Sequence, residues 1–342
     1  MRAATYAEFG GPIEVGDVRE PTVTDGSVIV RVEATGICRS DWHGWQGHDP
    51  DITALPHVPG HEFAGEVVAV GNGVSRIPLG MSVIVPFICS CGTCTNCLSG
   101  HANVCTEQYQ PGFHGWGSFA EKVLIPNADF NVVEMPPSID YPTAAILGCR
   151  VATAYRAVVH QGRVEPDEWL VVHGAGGVGL SAVMIGVAHG SRVVVSDPDP
   201  GARDFASSLG ASHALDPHGA TDLAERIVEL TGGGAHVSID AVGAPGVTAT
   251  SLRSLRPRGR HVQVGLVTGN TEIPLSLFHS REISLLGSHG MPATDYRAMV
   301  HQIVAGAFDP SVLITQHLSL ADGVSRLIER NPPPGMAVIT EI

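Results

Sequence analysis

Residues 169–179 read W-L-V-V-H-G-A-G-G-V-G, an apolar run that passes directly into a glycine-rich turn. A short apolar run bounded by glycine is typical of a buried strand. The residues after the turn have a helical pattern to about His189, and a second apolar run extends from Arg192 to Ser196. The segment therefore predicts a strand, a helix and a second strand, which together form the βαβ unit of a parallel sheet.

The turn itself fits the pattern G-x-G-x-x-G between a strand and a helix. Gly174 permits the tight turn, Gly176 lets a pyrophosphate approach the backbone amides, and Gly179 lets the helix pack on the strand. Gly177 and Val178 complete the loop. A flexible glycine turn without a ligand is the alternative, and the motif in isolation does not exclude it.

Asp197 favours the dinucleotide interpretation because it ends the second strand, where a carboxylate accepts hydrogen bonds from the adenosine ribose. An acid at this position also repels the additional phosphate of NADP, so NAD is the predicted cofactor. An ordinary turn residue is the alternative for Asp197. Arg203 lies nearby in the sequence and leaves the use of both cofactors open.

A second motif precedes this one in the chain and reads C-G-T-C-T-N-C-L-S-G-H-A-N-V-C. Its cysteines are separated by two, two and seven residues, which is close enough for all of them to bind one ion. Four thiolates form a closed tetrahedral site, so the motif predicts a structural zinc. The predicted ligands are Cys91, Cys94, Cys97 and Cys105.

Cys38 and Cys149 lie far from that cluster in the sequence, and with His61 they could provide three ligands to a second zinc. Three protein ligands leave a fourth position open, which is typical of a catalytic site. A buried structural role is the alternative for each residue considered alone. Thiolates bind zinc only when reduced, and the spacing of the cysteines is that of zinc ligands rather than of disulfides. Only Cys89 then has no assigned role.

Composition describes a globular enzyme of one large or two ordinary domains, with 342 residues of which 44% are hydrophobic. The formal charge of −14 argues against a nucleic-acid surface. No apolar run approaches the length of a membrane span, and the start M-R-A-A-T-Y lacks the hydrophobic core of a secretory signal. We therefore expect a cytoplasmic protein that does not contact membranes.

The pattern of apolar residues along the chain changes near residue 150. Earlier residues form short alternating runs between glycines and prolines, which predicts a strand-rich and loop-rich unit with few helices. Later residues alternate between strands and helices, which predicts a doubly wound parallel sheet. Further predicted strands of this sheet are 237–241, 261–266 and 283–287, and the further predicted helical segments are 202–209 and 222–231.

Three stretches, together with the cysteine motif and the glycine loop, give the chain a specific resemblance. They are G-I-C-R-S-D-W-H at 36–43, G-H-E at 60–62, and residues 147–153. Over essentially its whole length the chain resembles the zinc-containing medium-chain alcohol dehydrogenase family. The resemblance implies an α/β fold in which a β-rich GroES-like catalytic domain, residues 1–150 and 288–342, carries the structural zinc lobe. A Rossmann NAD-binding domain would span residues 151–287.

The resemblance also implies roles for individual residues. Cys38, His61 and Cys149 look like the ligands of the catalytic zinc. Asp41 resembles the carboxylate that orients the ligand histidine, and Glu62 resembles the acid behind the zinc that can exchange into its ligand shell. A solvated loop charge is the alternative for both acids.

Ser40 and His43 resemble a proton relay, in which the hydroxyl takes the alcohol proton and passes it by way of the cofactor ribose to the imidazole. Histidine suits this role because its pKa lies near working pH. Arg39 resembles a residue that contacts the cofactor pyrophosphate. Thr153 and Val178 resemble positions that line the nicotinamide, although either could simply pack in the core.

The implied activity is zinc-dependent hydride transfer between an alcohol and NAD, which interconverts alcohol and aldehyde or ketone, with one catalytic and one structural zinc per chain. Polyol dehydrogenases of the same family commonly carry glutamate as the third zinc ligand, so Cys149 favours simple alcohols. Phe87, Trp42, Trp45 and Trp116 could shape an apolar pocket or pack in the core.

Two alternatives remain at this point. A metal-free reductase that uses NADPH would share the fold, but we would not expect it to retain both ligand sets. A zinc-stabilised regulator that senses NAD(H) without turnover is the second, and the relay residues Ser40 and His43 argue against it. The apolar run 283–286 could form the edge strand of a dimer or tetramer, or it could be buried within one subunit.

Overall fold

The structure, a computed structural model, describes residues 1–219, 222–267 and 270–342. The strands of these residues are β1 (Arg2–Tyr6), β2 (Ile13–Asp17), β3 (Val28–Gly36), β4 (Phe63–Val70), β5 (Ser82–Val85), β6 (Lys122–Ile125), β7 (Val133–Glu134), β8 (Trp169–His173), β9 (Arg192–Ser196), β10 (His213–Leu215), β11 (Ala235–Asp240), β12 (Leu255–Gln263), β13 (Ser284–Gly287), β14 (Ile314–Ser319) and β15 (Met336–Glu341).

Most of the helices are short. They are α1 (Arg39–Trp45), α2 (Thr95–Leu98), α3 (Ala128–Asn131), α4 (Tyr141–Ile146), α5 (Ala152–Tyr155), α6 (Gly177–Ala188), α7 (Pro200–Ser208), α8 (Leu223–Leu230), α9 (Val247–Arg253), α10 (Leu275–Arg281), α11 (Tyr296–Val304) and α12 (Leu320–Ile328). Two π-helical segments, Leu147–Val151 and Arg156–Gln161, flank α5. Single 3₁₀ turns form at Ala102–Val104, Ala293–Asp295 and Pro310–Leu313.

The chain divides into two compact units. The first contains Met1–Ala152, Gly290–Pro332 and Met336–Ile342, and the second contains Thr153–His289 and Pro333–Gly335. The domain bounds that the resemblance implies, residues 1–150 with 288–342 and residues 151–287, stay a prediction.

In the second unit the strands form one parallel sheet in the order β10-β9-β8-β11-β12-β13. β8 and β9 have the bounds that the sequence predicts, and α6 connects them. The central strands β8, β9 and β11 are buried on nearly all positions of both faces, as expected where helices cover both sides of a parallel sheet. Val171, Val194 and Leu252 belong to its buried core, where each fully buried side chain stabilises the fold by about 1.5–3 kcal/mol.

Polar side chains follow one another across the carboxyl end of this sheet. His173 is in register with Ser196 on one side and with Asp240 on the other, and Asp240 is in register with Gln263. Paired positions of parallel strands project to the same face, so these buried polar groups form one row. Such a row lies where ligands of open α/β sheets bind.

The first unit is built around a seven-stranded, mainly antiparallel sheet with the order β14-β15-β3-β4-β5-β7, and β6 pairs with β3. β1 and β2 form a separate hairpin. The core between these strands contains Val30, Phe63, Val67 and Val83, all with no exposed surface. Long loops leave this sheet between β3 and β4 and between β5 and β6, and these loops carry the cysteine and histidine motifs.

The fold class predicted from the sequence is confirmed. One strand was placed wrongly: the prediction of 261–266 misses its first half, because the strand spans Leu255–Gln263 and begins with exposed polar residues. The short strand β10 was not predicted. β13 lies at the edge of its sheet, where the sequence placed an edge strand, and its use in an oligomer stays a prediction. Among the described residues, no helix combines the length and the apolar character that spanning a membrane requires.

Candidate active site and metal centres

The first turn of α1 positions Cys38. The helix begins after Cys38, whose backbone is extended, and the Asp41 carboxylate accepts a hydrogen bond from the Cys38 N–H at 3.1 Å. This contact satisfies a backbone donor that the start of a helix leaves without an intrahelical acceptor. The sequence C-R-S-D therefore fixes Cys38 through a carboxylate three residues later.

The same carboxylate positions His61. Asp41 Oδ1 accepts the Gly60 N–H at 3.0 Å and lies 2.7 Å from His61 Nδ1. Both side chains are almost completely buried. With Nδ1–H donated to Asp41, the lone pair of His61 Nε2 is free to bind a metal. The structure thus places Asp41 where the sequence prediction put an orienting carboxylate.

Cys149 lies in a π-helical turn, Leu147–Val151, and π turns often mark functional sites. The turn is held from two sides. The Phe87 N–H donates to the Gly148 carbonyl at 3.0 Å, and the Tyr296 hydroxyl lies 3.1 Å from the carbonyls of both Leu147 and Gly148. These contacts fix the backbone beside Cys149.

The donor atoms of Cys38, His61 and Cys149 all lie within 4.8 Å of one another. His61 Nε2 is 3.3 Å from Cys149 Sγ, close to the separation of about 3.6 Å that tetrahedral zinc imposes on a nitrogen and a sulfur ligand. A hydrogen bond from Cys149 lowers the pKa of the Cys38 thiol and raises that of Cys149. The set therefore suits a soft divalent cation, which would replace the shared proton.

The second group of cysteines forms a closed sulfur cage. Cys91 to Cys97, Cys94 to Cys97, Cys94 to Cys105 and Cys105 to Cys91 have Sγ separations of 3.9, 3.4, 3.8 and 3.5 Å. Tetrahedral zinc with four sulfur ligands requires about 3.8 Å. Backbone N–H groups of Cys94 and Glu107 donate to Cys91 Sγ and Cys105 Sγ, both at 3.3 Å. Such bonds stabilise thiolates, so the cage fits a structural zinc.

Glu62 forms a buried ion pair with Arg150. Its carboxylate accepts the Arg150 backbone N–H at 2.9 Å and Nε–H at 2.7 Å, and the Arg150 Nη2 atom lies 2.5 Å away. Glu62 is not one of the three converging donors. This geometry favours a role behind the metal position, and entry of Glu62 into the ligand shell stays a prediction.

The predicted relay residues both lie on α1, Ser40 in its first turn and His43 in its last. Ser40 Oγ lies 3.8 Å from Cys38 Sγ, while His43 is half-buried one helical turn further on. Desolvation lowers the pKa of His43, and the charges of Arg39 and His48 lower it further. The Arg39 guanidinium lies over the Trp42 ring at 3.7 Å and forms no ion pair within the part of the chain that the structure describes.

Two aromatic rings flank the ligand histidine. The centroid of the Phe87 ring lies 5.8 Å from that of His61, and the Phe113 ring lies at 5.1 Å. Phe87 was a sequence candidate, whereas Phe113 was missed because a phenylalanine in a glycine-rich loop carries no specific signal. Trp45 and Trp116 donate instead to backbone carbonyls of other loops.

In the second unit, the glycine loop joins β8 to α6 as the sequence predicts. Gly174 has φ +92°, a backbone conformation that favours glycine. A Cβ on Gly179 would lie 1.8 Å from the Gly174 carbonyl oxygen, while a Cβ on Gly176 would have nothing within 4 Å. The open space at Gly176 is the room that a ligand phosphate needs. Thr153 is buried in α5 and Val178 is half-buried at the start of α6.

A cavity of ≈ 610 Å³ lies at the carboxyl end of the parallel sheet. Gly174, Ser196, Val242 and Thr250 line it, with His173 in its wall. The His173 Nδ1 atom lies 3.0 Å from Ser196 Oγ, which couples the ends of β8 and β9. A largely apolar cavity with a few fixed polar groups at this edge is typical of a nucleotide site.

Asp197 and Arg203 lie beside this loop. Asp197 Oδ2 accepts the Ala175 N–H at 2.7 Å, so the carboxylate ties the glycine turn to the end of β9. Arg203 Nη1 donates to the carbonyls of Asp197 and Pro198 at 2.7 and 2.9 Å and lies 3.9 Å from the Asp216 carboxylate. The guanidinium is therefore engaged by its own turn.

Comparison with known proteins identifies the family. The alcohol dehydrogenase GroES-like domain family matches residues 24–137, and the zinc-binding dehydrogenase family matches 177–305. The chain is 34% identical to an alcohol dehydrogenase of Geobacillus stearothermophilus over 84% of each chain. The chain belongs to the zinc-containing medium-chain alcohol dehydrogenase family. It is therefore a zinc-dependent oxidoreductase of alcohols.

Two further comparisons cover nearly the whole chain. An alcohol dehydrogenase of Moraxella sp. (strain TAE123) is 34% identical over 91% of this chain and 91% of its own length. The crystal structure of an NAD-dependent alcohol dehydrogenase superposes with a TM-score of 0.89 at 28% identity and covers 99% of both chains. The similarity thus extends over both compact units of the alcohol dehydrogenase.

Sequence reasoning missed three residues that hold the site. Arg150 follows a ligand cysteine, but its pairing with Glu62 spans 88 positions and has no local signal. Tyr296 contacts the turn of Cys149 from α11. His48 lies five residues after His43 and beyond the end of α1, so helical spacing does not predict the contact between them.

We predict opposite outcomes for two glycine substitutions in the loop. Gly179→Ala should destabilise the protein by about 3 kcal/mol or more, because the added methyl meets the Gly174 carbonyl. Gly176→Ala should unfold at the wild-type temperature and bind ADP-ribose about tenfold more weakly, a cost of about 1.4 kcal/mol. Thermal unfolding and titration calorimetry measure the two effects. Normal ADP-ribose binding by Gly176→Ala would contradict the assignment of the loop.

We predict strong coupling between Glu62 and Arg150. Glu62→Gln and Arg150→Met should each lower the free energy of unfolding by about 3–5 kcal/mol, because each leaves one buried charge unpaired. The double variant should recover most of that loss. Urea unfolding of the zinc-loaded variants measures the cycle.

The matched control is Glu66→Gln, which removes the exposed ion pair with Arg31 and should cost at most about 1 kcal/mol. Additive losses in the double variant would show that the buried pair is not coupled.

Proposed function

We propose that this alcohol dehydrogenase oxidises simple primary or secondary alcohols with NAD and runs the same reaction in reverse on aldehydes and ketones. The observation that carries the proposal is the buried convergence of Cys38, His61 and Cys149, with Asp41 oriented against His61. Three protein donors suit a catalytic zinc with one open position. The four-cysteine cage would hold a second, structural zinc.

The residues around the open ligand position have separate proposed roles. Bound zinc supplies a Lewis acid that acidifies an alcohol oxygen, and bound NAD supplies the hydride acceptor. Asp41 holds the His61 tautomer that leaves Nε2 free to bind the metal. The ion pair of Glu62 and Arg150 adds no net charge behind the site, so the electrostatic effect of the two thiolates is retained.

Ser40 and His43 are proposed to move the proton. The hydroxyl of Ser40 lies beside Cys38 and can accept the alcohol proton while it gives up its own. The lowered pKa of His43 keeps its imidazole neutral near working pH, so the ring can take up a proton and release it again. Arg39, whose guanidinium forms no ion pair with the described residues, is proposed to bind the cofactor pyrophosphate.

NAD is the proposed cofactor because the turn after β9 carries the acid Asp197, while Arg203, which follows in the same segment, is already bonded within the described residues. Asp197 would accept hydrogen bonds from ribose hydroxyls and repel a phosphate at the same position. Arg203 is held by carbonyls of its own turn and by Asp216. The solved NAD-dependent relative supports the same choice.

Phe87 and Phe113 favour an apolar alcohol. Both rings lie against His61, so a substrate oxygen near the metal position would have aromatic carbon beside it. Among the described residues, the acidic and basic side chains buried beside His61 are Asp41, which contacts its Nδ1 atom, and the Glu62 and Arg150 pair, in which each charge is paired. Cys149 in place of the glutamate common in polyol dehydrogenases also favours simple alcohols.

The two metal sites should be separable. Cys149→Ala should bind about one zinc per chain instead of about two and lose turnover while it stays folded, because the catalytic set loses a ligand. Cys94→Ala should also lose one zinc, with a lower unfolding temperature because the cage is opened. Elemental analysis, NADH formation from an alcohol panel and thermal unfolding measure these quantities.

Cys89→Ala is the matched control, since Cys89 is buried outside both donor groups. It should keep both zincs and normal turnover. Near-normal turnover in Cys149→Ala would overturn the assignment of the catalytic site.

Charge at Asp197 should decide the cofactor. Asp197→Asn should lower the ratio of kcat/KM for NAD to kcat/KM for NADP by about tenfold or more, because removing one like charge near the additional phosphate is worth about 1.4 kcal/mol. Asp199→Asn in the same turn is the control, since asparagine also caps α7 well. Equal ratios in the two variants would show that Asp197 does not select NAD.

A further inference from the structure

We infer that His48 is the solvent end of the proton path, so that the proton released on alcohol oxidation leaves through a pair of imidazoles, His43 and then His48. The inference rests on the proposed role of His43 and extends it to a residue with no assigned function. His48 acts through His43 and is therefore a positioning and proton-accepting group outside the reacting atoms.

The geometry places the two rings in direct contact. His43 Nδ1 and His48 Nδ1 are 3.1 Å apart, which is hydrogen-bond distance. The His48 N–H also donates to the His43 carbonyl at 3.0 Å, so the backbone after α1 holds the second ring over the first. The edge of the Trp42 ring contacts both imidazoles, with centroids 5.0 and 5.8 Å away. The pair is thus fixed from two sides.

A contact between two Nδ1 atoms needs one proton, because one nitrogen must donate and the other must accept. When His43 carries that proton, its Nε2 is free to take up another from the relay. The Nδ1 proton then passes to His48 Nδ1, and His48 releases its own Nε2 proton to water. Each transfer breaks one N–H bond and forms another, and exchange with water restores the starting tautomers.

The surroundings favour movement of the charge in this direction. His43 is half-buried, whereas His48 is exposed. The charge of Arg39 disfavours a proton on His43, while the charges of Cys38 and Asp49 favour one. Desolvation is the largest of the effects that lower the pKa of His43, so burial disfavours a lasting charge on the inner ring. The exposed ring of His48 borders water, which can take up the proton.

The test compares His48→Gln with His301→Gln in the zinc-loaded enzyme. His301 is exposed on α11 and serves as the matched control. In weak buffer, His48→Gln should lower kcat for alcohol oxidation by about 3–10-fold, a part of the 10²–10⁴-fold that proton transfer can contribute. The loss should be greatest toward acidic pH, where the remaining His43 discharges its proton least readily. KM for alcohol and NAD should be unchanged.

Added imidazole should restore the rate of His48→Gln and leave that of the wild type unchanged, because a free base can replace the missing ring. Long-range ¹H–¹⁵N NMR of protein without cofactor gives an independent reading. The Nδ1 resonance and titration of His43 should change in His48→Gln and stay the same in His301→Gln.

A wild-type pH profile for His48→Gln, or a loss that imidazole does not restore, would overturn the inference. His43→Ala tests the proposed function separately. If His43→Ala is slow and His48→Gln is not, only the second step of the path is wrong. If His43→Ala retains normal turnover, the relay and the inference built on it are both wrong.

Discussion

The Asp41 carboxylate is the contact on which the site depends, since it joins segments that are distant in the chain. One oxygen accepts the Cys38 N–H, and the other accepts the Gly60 N–H and contacts His61 Nδ1. A buried carboxylate is costly unless it is fully hydrogen-bonded, and here three donors satisfy it. The same contacts set the start of α1, the loop before β4 and the tautomer of a ligand. One side chain therefore fixes both the candidate ligand residues and the backbone around them.

A second buried charge compensates for the electrostatics of the ligand set. Two thiolates close to a carboxylate would repel one another, and Glu62 would add to that repulsion if it were unpaired. Arg150 prevents this by pairing with Glu62, and it does so from the residue directly after Cys149. The chain thus links the position of Cys149 to the neutralisation of Glu62. Removing either charge should disturb the other group as well as the metal.

The sequence was most informative where structure is local. The strands 169–173 and 192–196 were predicted to the residue because an apolar run between glycines has few other interpretations. β12 was misplaced because the strand begins with exposed arginines and ends at Gln263, whereas the apolar residues that follow leave the sheet, with Leu266 67% exposed. Backbone pairing with β11 and β13, rather than hydrophobicity, determines the ends of this strand.

The same distinction between local and long-range structure applies to the site residues. The spacing of Cys91, Cys94, Cys97 and Cys105 predicted that their sulfurs converge, because short loops restrict where these donors can lie, whereas the grouping of Cys38, His61 and Cys149 rested on the family resemblance. Arg150 and Tyr296 could not be predicted, because their contacts join residues 88 and about 150 positions apart and depend on how the strands pack. The sequence also does not predict the π turn at Cys149, since this stretch fits an ordinary helix.

The two metal groups show how one chemistry supports two roles. Four sulfurs close a tetrahedron, so an ion held by Cys91, Cys94, Cys97 and Cys105 has no position left for a substrate. Two sulfurs and one nitrogen would leave one ligand position open, and at the second site Ser40 lies beside Cys38 while the rings of Phe87 and Phe113 lie beside His61. The fourth cysteine is thus the difference between the two donor sets: with it the set closes around its ion, and without it the set beside His61 would leave one ligand position for an alcohol oxygen.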